Sequence, residues 1–182
     1  LAKINEYIVA FSLKIIAAIC IIPYIIYSGI PELNQNFVQA LLVSGTLNAV
    51  TIVLYMKALK KSDLSLSVTF LAFTPLFLLI TSPLIVGEFP SMGGIVGIFL
   101  IVIGTYVLKI KDKHLGFLAP FKSLLQHEGP KLMLIVAFIF SITANFDKIG
   151  VVNSTPLFWV FAMNLFSALL LIPFLYLKKI NV

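Results

Sequence analysis

The length of the apolar runs constrains this chain more than any other feature. A helix rises 1.5 Å per residue, so about 20 apolar residues cross about 30 Å of hydrocarbon. Such runs occur at 7–28, 37–56, 64–86, 91–108, 132–152 and 156–177. They are too long for the strands of a membrane barrel and show no alternation of apolar and polar residues. They predict an all-α membrane protein with about six transmembrane helices. The breaks between them carry turn chemistry: Ser28-Gly29-Ile30-Pro31, Lys60-Lys61-Ser62-Asp63, Gly87-Glu88-Phe89-Pro90, Gly129-Pro130 and Asn153-Ser154-Thr155-Pro156. The first and fifth runs are the least pure, with Lys14 inside one and Asp147 and Lys148 near the end of the other.

Composition removes the soluble alternative. Of 182 residues, 60% are hydrophobic and 11% charged, and a water-soluble domain of this size lacks the interior to hide that much apolar surface. The net charge of +6 comes from 13 basic residues, all lysines, against 7 acids. Those lysines sit between apolar runs and form no patch interleaved with aromatics, which argues against a nucleic-acid partner. Cys20 is the one cysteine, and His114 and His127 both lie outside the runs with no third ligand at useful spacing. No metal site, cofactor motif or activated nucleophile follows from these residues, and the expectation is a protein that is not an enzyme. The chain begins at Leu1 without a signal-peptide pattern, so it reads as a fragment.

The one long connection runs over 109–131. Its middle places Phe121, Leu124 and Leu125 on one helical face, with Pro120 at a first turn and Gly129-Pro130 as a stop. That pattern predicts a short helix at the membrane surface, whether it has a role of its own or only connects two halves. Lys3, the Lys57/Lys60/Lys61 cluster, the linker lysines and Lys178/Lys179 fall on one side if six spans alternate. The positive-inside rule then puts both ends of the chain and the linker in the cytosol.

Sliding the chain against itself by 150 residues aligns the first run with the last. Phe11 meets Phe161, Ala18 meets Ala168, Pro23 meets Pro173, and Lys14 meets Asn164. The proline and the polar position carry most of the weight. A repeat unit of five spans places its two copies in opposite orientations, a transporter design with a site near the midplane.

Several segments resemble a known family. Leu54-Tyr55-Met56-Lys57-Ala58-Leu59-Lys60, Thr74-Pro75-Leu76-Phe77, Gly87-Glu88 and Gly94-Ile95-Val96-Gly97-Ile98 with Gly104 resemble the second half of an EamA-type repeat of the drug/metabolite transporter superfamily. Gly129-Pro130, Asp147-Lys148-Ile149-Gly150 and Ser154-Thr155-Pro156-Leu157 resemble the opening of that family's second repeat. The resemblance implies a ten-helix carrier of two inverted repeats. Residues 1–108 are then the first repeat without its first helix, 109–131 the linker, and 132–182 the start of the second repeat without its last three helices. It also implies a central linker outside the cell, opposite to the lysine bias.

Lys14 is the sharpest candidate residue. A cation within a span is costly unless it finds water, a partner or a route to the interface. It reads either as a substrate-cavity cation or as a snorkelling lysine two turns from the start of its span. Thr46, Asn48, Thr51 and Tyr55 in the second run, with Asn164 in the last, either line a substrate cavity or bond helix to helix. Asn145, Asp147 and Lys148 are either part of a proton or cation pathway or ordinary charges at a helix end. Glu88 suits the N-terminus of the fourth helix as a cap. Gly93, Gly97 and Gly104 make a small-residue stripe for close packing, and Pro23, Pro75, Pro83 and Pro173 are kinks within spans.

The expected function is a multi-pass secondary carrier in the cell membrane, moving a small-molecule substrate through the lipid bilayer by alternating access. Coupling to a proton or a sodium ion, or to the substrate's own gradient, stays open, and so does a homodimer. The rival is a non-transport membrane protein, an assembly partner or a sensor held together by its glycine stripe.

Overall fold

The structure, a computed structural model, describes residues 5–61, 69–108 and 128–177. Every regular element among them is helical. In order they are α1 (Glu6–Ser28), α2 (Gln35–Lys61), a 3-10 helix (Thr69–Phe73), α3 (Thr74–Ile85), α4 (Met92–Leu108), α5 (Glu128–Val152) and α6 (Pro156–Leu177). Among the described residues, α1, α2, α5 and α6 are long and apolar enough to cross a membrane, while α3 and α4 give shorter apolar segments. The surface helix expected within 109–131 lies, up to residue 127, outside the described residues.

Local chemistry sets the ends. Asn5 accepts the Tyr7 N–H at 2.9 Å to open α1, and Gly29, at φ +76°, closes it by donating to Ile25 O; a left-handed residue there favours glycine. Asn34 Oδ1 accepts the Phe37 N–H at 3.0 Å at the start of α2. Two expectations about proline and glycine change. Pro75 stands in the first turn of α3, following the 3-10 segment, and so starts the α-helix instead of kinking it; a first-turn residue has no intrahelical acceptor to lose. Gly129-Pro130, expected as a stop, sits in the first turn of α5 for the same reason. Pro23, Pro83 and Pro173 do lie inside helices.

The described chain forms two compact units, Leu1–Met56 with Thr143–Val182, and Lys57–Ile142. In the first, α1 packs along α6. Tyr7 and Ala10 of α1, Ala49 and Val53 of α2 and Leu171 of α6 form one buried cluster. Phe37, Ala40, Phe158 and Trp159 form another, with Phe37 edge-on to Trp159 at 5.5 Å between ring centroids. Such an aromatic pair contributes roughly 0.5–1.5 kcal/mol beyond its area. Two backbone approaches depend on glycine: a Cβ at Gly45 would strike the Phe166 ring, and one at Gly150 would strike the Trp159 indole. In the second unit Phe70 stacks on Phe73, Phe77 meets Phe138 edge-on, the Thr81 hydroxyl donates to Ser141 O at 3.2 Å, and Lys61 pairs with Glu128.

Beside those apolar clusters, small polar side chains are buried and large apolar ones are exposed. Ser44, Thr51, Ser141 and Ser167 are fully shielded, whereas Ile26 is 79% exposed and Leu84, Phe99 and Tyr176 are similarly open. Apolar side chains lose nothing against lipid, while small hydroxyls let helices approach and bond to one another. The chain is therefore an all-α membrane protein.

Candidate functional site

The first unit gathers its polar side chains around Asp147. Five residues before the end of α5, Asp147 lies about 7.5 Å along the axis from Val152. Ser44, Asn48 and Thr51 share one face of α2 by their spacing, and all three are buried. The Ser44 hydroxyl donates to Asp147 Oδ1 at 2.5 Å, and Trp159 Nε1 donates to the same oxygen at 3.3 Å. Asn48 Nδ2 in turn donates to Ser44 O and Oγ at 3.2 and 3.3 Å. Trp159 is held by Phe37 on one side and fits against Gly150 on another. Three helices thus fix one carboxylate.

A fourth helix supplies the opposite charge. Lys14 of α1 is half-buried, its ammonium 3.9 Å from Met163 Sδ of α6, and it lies within electrostatic reach of Asp147. A thioether is a weak acceptor. Among the described residues the two hydrogen bonds to the carboxylate fall on the same oxygen. Each charge alone is costly within a span, and proximity offsets part of that cost.

The other expected site residues fall in different places. Thr51 donates back to Leu47 O of its own helix at 2.6 Å. Asn164, one residue past Met163, does likewise to Val160 O at 2.8 Å. Thr46 is exposed on the face of α2 opposite Ser44 and Asn48, and Tyr55 is half-buried further along. Lys14 and Asn164, matched at the 150-residue offset, lie on two helices that pack together. Glu88 is exposed in the turn before α4, and at the start of that helix the Ser91 hydroxyl accepts the Gly94 N–H at 3.2 Å. A Cβ at Gly97 or Gly104 would meet nothing within 4 Å among the described residues, and one at Gly93 only the Ser91 hydroxyl.

Sequence reasoning missed Ser44, Trp159 and Met163. Ser44 carried one signal, its four-residue spacing from Asn48. Nothing in the pattern singled out Met163. At the end where α1 joins α2 and α5 joins α6, a cleft of about 360 Å³ is lined by residues 31–34 and 152–154. Across it Asn34 Nδ2 donates to Asn153 Oδ1 at 2.6 Å.

Helices with lipid-compatible exteriors, around a carboxylate held by neutral donors from its neighbours, describe a multi-pass membrane protein. The model of the EamA-like transporter family matches residues 1–110, and the chain belongs to that family of membrane transporters. No curated protein and no solved structure matches it.

Proposed function

We propose that this chain belongs to a secondary carrier of the cell membrane that moves a small metabolite by alternating access, without enzymatic activity. Its polar guest binds between α1, α2, α5 and α6, at Lys14, Asp147, Ser44 and Asn48, with Thr51, Tyr55 and Asn164 lining the same interior. The observation that carries this reading is a carboxylate within a membrane-spanning helix, Asp147, held by Ser44 and Trp159 of two other helices, with the half-buried cation of Lys14 on a third. Intramembrane charges facing a bundle interior mark substrate or ion pathways. Residues 1–108 are one repeat, 109–131 the linker and 132–182 the opening of the inverted second repeat. The open glycine stripe of α4 suits packing by a further helix or a homodimer.

The test is uptake by the reconstituted full-length protein over amino acids, nucleosides, sugars and amphipathic cations. At least one solute is expected to accumulate, and Asp147→Asn to abolish that accumulation with normal membrane insertion. Equal uptake by the variant would remove the site from the reading, and no uptake of any solute would remove the carrier.

A further inference from the structure

We infer that Asp147 is a proton-binding group and that Lys14 takes an anionic group of the substrate while that proton is bound, so that proton and anion cross together. This rests on the carrier reading and names its coupling ion and substrate charge.

The arrangement around Asp147 selects a proton over sodium. Both hydrogen bonds to Oδ1 bring positive ends toward it, the Ser44 O–H and the Trp159 N–H, and an indole N–H has no lone pair for a metal ion. Sodium sites in carriers draw on unwound backbone carbonyls, whereas α5 runs unbroken over Glu128–Val152 and α2 over Gln35–Lys61. Among the described residues, Ser44 on α2 and Trp159 on α6 bond to the carboxylate, and Lys14 on α1 is the cation within its electrostatic reach. Of the other charged side chains described in this unit, Glu32 and Lys148 are both exposed. Among the described residues, a sodium ion would find one carboxylate oxygen without a hydrogen bond and an ammonium repelling it. A proton needs only one lone pair, and Oδ2 has it.

Charge balance then fixes what accompanies the proton. With Asp147 ionised, the pair is neutral. A proton from water on the side to which the site opens converts the carboxylate to a carboxylic acid and leaves the Lys14 charge without compensation inside a span. Its ammonium keeps Met163 Sδ as its hydrogen-bond acceptor among the described residues, a flexible thioether that yields to a better one. A carboxylate, phosphate or sulfonate oxygen supplies that acceptor and restores neutrality. On the other side the anion leaves, the carboxylic acid returns its proton to water, and Lys14 again faces an ionised Asp147. The loaded and empty sites carry the same charge, so transport of a monoanion with one proton is electroneutral.

Trp159, the single tryptophan of this chain, reports on the site through its bond to Asp147. The experiment follows, in proteoliposomes of the full-length protein, the part of the emission that Trp159→Phe removes. That emission is expected to switch with pH, identically in sodium and potassium media. At a pH between the two plateaus, methanesulfonate or inorganic phosphate drives it toward its low-pH value. Asp147→Asn loses both responses, Asp147→Glu keeps the pH response, and Lys14→Met keeps the pH response but loses the anion response. A pH-independent Trp159 signal, a sodium-induced change at constant pH that Asp147→Asn abolishes, no anion response in the parent, or an anion response surviving Lys14→Met overturns the inference. The readout needs no transport. Intact responses without uptake of any solute count against the carrier alone, and uptake without these responses counts against the proton and anion assignment alone.

Discussion

The Ser44 hydroxyl lies 2.5 Å from Asp147 Oδ1, on the same oxygen that receives the Trp159 indole N–H. Two neutral donors from two different helices thereby hold a carboxylate that water does not solvate freely, and Asn48 orients one of them. A hydrogen bond to a charged group contributes about 1.5–3 kcal/mol. Ser44→Ala is accordingly expected to lower the unfolding temperature in detergent, and Trp159→Phe, which removes the longer bond and keeps a ring, to lower it less. Equal or smaller loss in Ser44→Ala would mean that the carboxylate finds other donors there.

Glycine positions offer a second check. Gly150 and Gly45 lie against rings that leave no room for a Cβ, and overpacking costs roughly 1–3 kcal/mol. Gly150→Ala and Gly45→Ala should each destabilise the protein by that amount. Gly97→Ala, with open space around it, should be neutral or slightly stabilising, because alanine is the better helix former by about 1 kcal/mol. A cost at Gly97 as large as at Gly150 would place a partner surface on α4.

Hydropathy is local, and that is why most helix positions were legible. The run at 7–28 became Glu6–Ser28, and 91–108 became Met92–Leu108. Boundaries failed where a helix turn is not apolar: α5 begins four residues before its run, because Glu128, Gly129, Pro130 and Lys131 suit a first turn without reading as membrane. The 64–86 run hid a change from 3-10 to α-helix at Thr74. Lys14 was visible as a charge in an apolar stretch. Asp147 was visible too, but only as one of three polar residues where a carboxylate is cheap by itself, and it took the fold to set Ser44 and Trp159 against it. The four-residue spacing of Ser44 from Asn48 places the two on one helix face but does not say what that face meets, so the role of Ser44 required the fold. The stripe at Gly93, Gly97 and Gly104 drew the reading toward α4, while the close approaches described lie at Gly45 and Gly150.

Asn34 and Asn153 join the two helix corners at one end of the first unit, and each uses its remaining amide atom on its own helix: Asn34 accepts from Phe37 N–H and Asn153 donates to Ile149 O. If alternating access separates these corners, tying them together stops the cycle. In a Cys20-free background, Asn34→Cys with Asn153→Cys bridged by a short thiol-specific cross-linker should lose uptake and regain it when the linker is cleaved. Uptake undiminished by a complete cross-link would show that the corners stay together throughout.

Orientation is open to direct measurement. Eleven of the thirteen lysines lie on one side of a six-span layout, and positive charge retains loops in the cytosol. Single cysteines at Lys113 and at Glu32, again without Cys20, are expected to label oppositely with an impermeant thiol reagent, Glu32 from outside. Labelling of Lys113 from outside would favour the orientation that the family resemblance implies over the lysine bias.

Lys14 carries the last prediction, that it faces a water-accessible interior. Its sequence partner at the 150-residue offset is the polar Asn164, and the fold sets α1 beside α6 with the ammonium at Met163, next to that asparagine. A lysine that merely snorkelled would place its charge at the membrane surface, whereas this one lies half-buried within reach of a carboxylate. Lys14→Met keeps the length of the side chain and removes its charge, leaving Asp147 uncompensated in the span. Lys14→Leu should behave alike. Both variants are expected to insert normally and to lose transport, read as uptake per inserted molecule. Parental rates in either would reduce Lys14 to a bystander and leave the guest to Asp147, Ser44 and Asn48.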